Sequence, residues 1–253
     1  MLDLRGVSVR FGGVQALDGV SLQAPPGRVT GLIGPNGAGK TTLFDVASGL
    51  QRPTRGSVEL GGRDVTRRGP RHRARLGLGR TFQRIELFGS LTVRENVQLA
   101  AEVRLGWRHR TSQTAATAEL LERTGLTDVA DTPAGELPTG QARLLELARA
   151  LATDPSVLLL DEPGSGLDDA ETTSLGALLL ELAAEGTAVL LVEHDVELVM
   201  RVCEHLYVLD FGQVLCEGTP DLVAGDRRVQ EAYLGVEVAG TAVPEPVAER
   251  ASQ

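Results

Sequence analysis

The chain has 253 residues, 42% of them hydrophobic and 23% charged, enough for one large domain carrying a subdomain. A formal net charge of −9 argues against a general nucleic-acid surface, while leaving room for one anionic nucleotide in a local site. Cys203 and Cys216 show neither metal spacing nor a disulfide framework and read as reduced packing thiols. Met1-Leu2-Asp3-Leu4-Arg5 has no signal-peptide pattern, and no window reaches the roughly 20 apolar residues of a transmembrane helix. The expected location is therefore the cytosol, with any membrane link supplied by a partner.

Residues 4–11 alternate as a strand, residues 29–34 form a second, and residues 39–48 read as the helix after it. Across that strand-to-helix join runs Gly34-Pro35-Asn36-Gly37-Ala38-Gly39-Lys40-Thr41-Thr42, which fits G-x-x-x-x-G-K-[ST] in the context that makes the pattern a phosphate site. Lys40 is the single lysine among 25 basic residues. Its compact ammonium would bridge the β- and γ-phosphates, the loop N–H groups and helix N-terminus would surround them, and the Thr41 hydroxyl would hold Mg²⁺.

Residues 57–60 form a short strand. Between Arg63 and Arg84 stand eight arginines against one acid, Asp64, with a short helix starting after Pro70; this reads as a solvated face or as a contact with a membrane-protein partner or acidic headgroups. Residues 91–105, 114–124 and 140–152 have helical periodicity and few strand signals between them, so they read as a helical insert interrupting an α/β core. Trp107, within that insert, reads as local packing. The α/β rhythm then resumes with a strand at 157–160, a helix at 170–185, a strand at 188–192 and a helix at 196–202. A hairpin at 206–217 turns near Phe211-Gly212, and residues 236–253, without periodicity, read as a disordered tail.

The buried strand at 157–160 ends in Asp161-Glu162-Pro163, the second half of a nucleotide site. Phosphoryl transfer needs one acid to organise Mg²⁺ and another group to orient the attacking water, roles suited to Asp161 and Glu162.

Between these halves, Leu137-Pro138-Thr139-Gly140-Gln141 and the helix after it resemble the L-S-G-G-Q signature of ATP-binding cassette (ABC) proteins. Arg80-Thr81-Phe82-Gln83 is similar to that family's glutamine loop, Ser165-Gly166-Leu167-Asp168 to its D-loop, and Glu193-His194-Asp195 to its switch histidine. Phe11 matches the position of an aromatic that stacks on adenine. Individually, Phe11 could be a strand-end core residue, His194 a helix cap and Gln83 a surface amide; the motifs in the family's order cover roughly residues 4–235.

The resemblance implies an α/β fold: a P-loop NTPase (RecA-like) core with an N-terminal antiparallel β subdomain and an inserted helical signature subdomain. The cassette would span residues 1–235, with the helical subdomain at about 89–152. It implies a head-to-tail pair of ATPase subunits, each ATP lying between the phosphate loop of one and the signature of the other, whose closure drives transmembrane permease subunits. Gln83 would contact Mg²⁺ and report the γ-phosphate to the partner surface, and His194 would contact the γ-phosphate and hold Glu162 and the water in place. Asp168 and the signature residues would complete the nucleotide contacts.

Pro138 departs from the serine common at the second signature position, and so removes a donor to the γ-phosphate unless Thr139 substitutes. An asymmetric pair with an unlike partner is the expectation. Arg80-Thr81-Phe82-Gln83-Arg84-Ile85-Glu86-Leu87-Phe88, Leu191-Val192-Glu193-His194-Asp195 and Glu231-Ala232-Tyr233-Leu234-Gly235 resemble the larger ATPase subunit of the branched-chain or hydrophobic amino-acid uptake family. That likeness implies import, an extracytoplasmic substrate-binding protein further out, and a place on the cytoplasmic face of the membrane. A lipopolysaccharide exporter ATPase and a nucleotide-gated regulatory module are the rival readings. The DNA-repair ATPases that share the nucleotide fold need a long coiled coil that residues 91–152 lack.

Overall fold

The computed structural model describes residues 1–83, 85–105 and 110–237; Arg84, Trp107 and the expected tail from residue 238 onward lie outside the described residues. Strands β1 (Leu2–Phe11) and β2 (Val14–Ala24) form an antiparallel hairpin. The sequence reading missed β2 because its alternation breaks. Leu17, Val20, Leu22 and Ala24 are buried, and the three-residue step from Leu17 to Val20 spans Gly19 at φ 68°, where the register shifts. Strand β3 (Val29–Ile33) feeds α1 (Lys40–Ser48). Strands β4 (Arg55–Leu60) and β5 (Arg63–Asp64) complete a four-stranded sheet in the order β2-β1-β4-β5.

Helix α2 (Pro70–Arg75) starts on its proline, and β6 (Leu78–Arg80) is too short to show a period. Helices α3 (Val93–Leu105), α4 (Arg110–Arg123) and α5 (Thr139–Leu151) follow before the chain returns to strand in β7 (Val157–Asp161). Then come α6 (Asp169–Ala184), β8 (Ala188–Val192), α7 (Val196–Val202), β9 (His205–Asp210) and β10 (Gln213–Gly218). The last described elements, α8 (Pro220–Gly225) and α9 (Arg227–Glu237), go beyond the elements expected from sequence, and α9 takes in Val236 and Glu237 of the expected tail.

The second sheet has the order β10-β9-β3-β8-β7-β6, parallel except for the β9–β10 hairpin. Strands β7 and β8 are buried along their whole length, as parallel strands covered on both faces must be. Alternation splits them between two cores. Leu158, Leu160, Val189 and Leu191 face the side packed by α5, α6 and the helical insert; Val157, Leu159 and Leu190 face α1 and the four-stranded sheet. Every parallel strand therefore points its carboxyl end to one edge, where β3, β6, β7 and β8 release the phosphate loop, Gln83, Asp161-Glu162 and His194.

The arginine-rich stretch is not uniformly a solvated face. Arg73 is 1% exposed and donates to the carbonyls of Val46 and Ala47 at 2.6 and 2.7 Å, with Val65 and Arg68 accepting at 2.8 and 3.0 Å. Its planar fork closes the C-terminal end of α1, where helix carbonyls lack partners, and burial pushes its pKa down to about 10. Arg80 is also enclosed, whereas Arg63, Arg67, Arg68, Arg71 and Arg75 are exposed.

Candidate nucleotide site

The turn between β3 and α1 is shaped by two glycines. Gly34 has φ 148° and Gly39 has φ 106°; a Cβ on either would strike the backbone oxygen of Leu209 at 2.0 Å or of Ala16 at 2.8 Å. Helix α1 has no side-chain cap at Gly39, so its first N–H groups and the positive end of its dipole face the cleft. Lys40 lies within the loop, its Nζ donating to the carbonyls of Gly34 at 2.5 Å and Pro35 at 3.0 Å. Burial lowers its pKa, while Glu162 and Asp161 oppose the shift.

A cleft of about 550 Å³ joins this loop to the other strand ends. Asn36, Gly37, Ala38, Gly39, Lys40, Thr41, Thr42, Gln83, Asp161, Glu162 and His194 all line it. Gly34 and Pro35 form the base of the loop, with Pro35 facing a second hollow beside α9. Phe11 is half exposed at the β1–β2 turn; it is not a core residue, and Val14, Gln15 and Ala16 of the same hairpin line the cleft in its place. Phe211, 90% exposed at φ 41° in the β9–β10 turn, also lines the cleft.

Asp161 ends β7 with its side chain buried. Its Oδ2 has no hydrogen-bond partner among the described residues and lies 3.9 Å from the Arg80 guanidinium. Burial raises its pKa, Arg80 opposes the rise, and Glu162 and Asp45 add to it. Arg80 is fixed by hydrogen bonds to Asp45 at 2.7 Å and Ser48 at 2.8 Å, and lies over the rings of Phe44 and Phe82. A buried carboxylate oxygen without a donor, in a cleft that Thr41 and Gln83 also line, suits a hard cation bound to phosphate. Mg²⁺ therefore fits the residues present.

Glu162 takes the left-handed conformation at φ 51°. That strained turn sends its carboxylate to His194, with Nε2 and Oε1 2.8 Å apart. His194 is not a helix cap: Asp195 caps α7, accepting from the Leu198 N–H at 3.1 Å.

The signature residues stand apart from this cleft. Pro138 is the N-cap of α5, one residue before the helical turn, and its carbonyl accepts from the Ala142 N–H at 2.9 Å. Pro138 and Thr139 are exposed, Leu137 and Gln141 are half-buried, and Gly140 is buried against the Gly166 carbonyl, which a Cβ would meet at 2.6 Å. Asp168 caps α6 in a reciprocal box with Glu171, accepting from its N–H at 2.8 Å while Glu171 accepts from the Asp168 N–H at 2.9 Å.

Sequence reasoning also missed a set of side chains on α5. Arg143 donates to the carbonyls of Phe82, at 2.6 Å, and Gln83. Glu146 accepts from the Glu86 N–H at 3.0 Å and pairs with Arg143, and Arg149 donates to the Glu86 carbonyl. From α3, Asn96 accepts from the Phe88 N–H and donates to the Phe88 carbonyl, both at 3.1 Å. The glutamine loop is thus satisfied by side chains of the helical insert, a pairing whose only sequence signal is charge at three-residue spacing on an otherwise apolar helix.

A parallel core sheet with a phosphate loop, paired acids at the end of β7 and a helical insert carrying a signature turn define an ATP-binding cassette. The comparisons agree: a family profile described as ABC transporter matches residues 17–165, and one described as branched-chain amino acid ATP-binding cassette transporter matches residues 213–239. The Pseudomonas aeruginosa protein named high-affinity branched-chain amino acid transport ATP-binding protein BraF is 40% identical over 250 residues, covering 93% of this chain and 98% of that one. LivG of Escherichia coli K12, with the same description, is 39% identical with the same coverage. A nucleotide-free ATP-binding cassette from an ABC transporter superposes with a TM-score of 0.82 at 33% identity, covering 92% of this chain and 98% of that one. A dimeric post-hydrolysis state of the cassette MJ0796 bound to ADP and Pi superposes at 0.80 with 27% identity, covering 87% and 99%. The chain belongs to the ABC transporter family, among its ATP-binding subunits.

Proposed function

We propose that this chain is the ATP-hydrolysing subunit of an importer for branched-chain or other hydrophobic amino acids. The observation that carries the ATPase reading is the convergence of Lys40, Gln83, Asp161, Glu162 and His194 on one cleft. The names of BraF and LivG and the profile match at residues 213–239 support the substrate class.

In this reading the loop N–H groups and Lys40 hold the phosphates of ATP, Lys40 exchanging its bonds to the Gly34 and Pro35 carbonyls for phosphate oxygens. Thr41, Asp161 and Gln83 would hold Mg²⁺, which would supply neutralisation of phosphate charge. Glu162 orients the attacking water, and His194 holds Glu162 and contacts the γ-phosphate. Phe11 and the Val14–Ala16 edge take the adenine side, and Asp168 acts near the partner's nucleotide.

The signature turn, outside this chain's own cleft, offers the N-terminus of α5 to ATP held by a second cassette subunit. Pro138, without an N–H, makes an unlike paralogue the favoured partner. The described helices include none long and apolar enough to cross a membrane. Attachment to the cytoplasmic face would come through permease subunits, fed from outside by a substrate-binding protein. Purifying the chain with its membrane companions, reconstituting them in vesicles and measuring ATP-driven leucine uptake tests the assignment. Uptake that disappears in Lys40→Ala supports it, and a complex that hydrolyses ATP but moves no hydrophobic amino acid overturns the substrate reading.

A further inference from the structure

Glu193 is a buried carboxylate that the phosphate contacts and the Glu162–His194 pair leave unused. It stands one residue past β8 and is 6% exposed. Oε1 accepts from the Gly164 N–H at 2.6 Å and Oε2 accepts from the His194 N–H at 3.0 Å. Burying a carboxylate costs free energy unless donors satisfy it, and here a backbone donor meets each oxygen. Burial nonetheless raises its pKa, opposed by those N–H groups.

The donors belong to two different loops. Gly164 lies in the turn after β7, two residues beyond Glu162, while His194 lies in the turn after β8. A Cβ on Gly164 would come within 2.9 Å of Glu193 Oε1, so the glycine admits the carboxylate. Beside it, the Glu162 N–H donates to the Val192 carbonyl at 2.9 Å. The His194 side chain is half exposed and its hydrogen bond runs to Glu162, so the backbone on either side sets where the ring stands.

We propose that Glu193 is a positioning residue for ATP hydrolysis: its carboxylate clasps the loops carrying Glu162 and His194 and holds the pair in hydrogen-bond register. This rests on the reading of Glu162 and His194 as the hydrolytic pair. Glu193 touches neither nucleotide nor water in this role and acts through His194.

The test is steady-state ATP turnover of the full chain in its purified transporter complex, with Glu193→Gln, His194→Ala and the double variant. Glutamine keeps the shape and one acceptor but turns an NH₂ toward backbone N–H groups. The expected result is kcat lowered about tenfold with KM for ATP within about twofold. In the His194→Ala background the same change adds no further loss, because the clasp works through the ring. Losses that multiply in the double variant, or a raised KM with native kcat, overturn the proposal. If Glu193→Gln fails to fold, Glu193→Asp, charged but one methylene short of spanning both turns, must show the same pattern; native kcat there also overturns it. Native turnover in both Glu162→Gln and His194→Ala would instead show that the hydrolytic pair itself was misread.

Discussion

His194 Nε2 lies 2.8 Å from Glu162 Oε1, joining the ends of two adjacent parallel strands. The contact depends on the left-handed backbone of Glu162, an expensive conformation for a residue with a Cβ. Strain at that position brings a carboxylate out of the sheet and over the cleft. Asp161, one residue earlier, keeps regular strand pairing and stays buried beneath it. Adjacent acids thus receive different environments.

Asp161 supplies the buried oxygen without a donor, so its neutral isostere should act on metal dependence first. Asp161→Asn is expected to raise the Mg²⁺ concentration needed for half-maximal turnover and to lower the maximum. ATP binding measured without Mg²⁺ stays near native. A magnesium titration at saturating ATP checks this.

Arg73 should matter for stability alone. Arg73→Met takes side-chain donors from the carbonyls of Val46, Ala47, Val65 and Arg68; those of Val46 and Val65 keep the Gly49 and Arg68 N–H groups, so the loss falls on Ala47 and Arg68, at about 1–3 kcal/mol for each one that water fails to reach. The expected outcome is a loss of roughly 2–4 kcal/mol in urea unfolding. Arg73→Lys recovers only part, since a lone ammonium cannot serve the same spread of acceptors.

Glu146 gives a pH signature. Burial raises its pKa above the ordinary 4.5, with the Glu86 N–H, Arg143 and Arg149 opposing the shift. A folded-state pKa above the unfolded one contributes stability that is fully present below the unfolded pKa and is lost as pH rises through the folded pKa. Glu146→Gln removes that titration. The native chain's stability relative to the variant is therefore greatest at acid pH and declines as pH rises above about 4.5. Urea unfolding of both chains across that range measures it.

Pro138→Ser restores a hydroxyl and an N–H at the start of α5. If the signature serves ATP on the partner's phosphate loop, the substitution raises turnover in the assembled complex and leaves ATP affinity of the isolated chain unchanged. A change confined to the isolated chain would contradict that assignment.

The cleft was legible in sequence to the extent that its parts are short contiguous backbone devices. Gly34 to Thr42 must bend tightly and then start a helix, and Asp161-Glu162 must end a buried apolar strand; both leave local marks. The companions of these parts left none. Arg73 reads as one more basic residue in a charged run until folding brings the end of α1 to it. Arg143, Glu146 and Arg149 read as the polar side of a helix until the glutamine loop, some 60 positions earlier, lies across them. Strand β2 was hidden by the bulge at Gly19, and β6 by its three-residue length. Arginines that satisfy distant carbonyls carry information only in three dimensions.

The roles of Glu162 and His194 are tested by single-turnover hydrolysis with Glu162→Gln in the transporter complex, beside equilibrium binding of Mg-ATP. Removing the carboxylate but keeping its shape should abolish phosphate release while ATP still binds, because Lys40 and the loop N–H groups are untouched. Phosphate release at the native rate with full occupancy would contradict the assignment of Glu162 and His194 as the pair that brings water to the γ-phosphate.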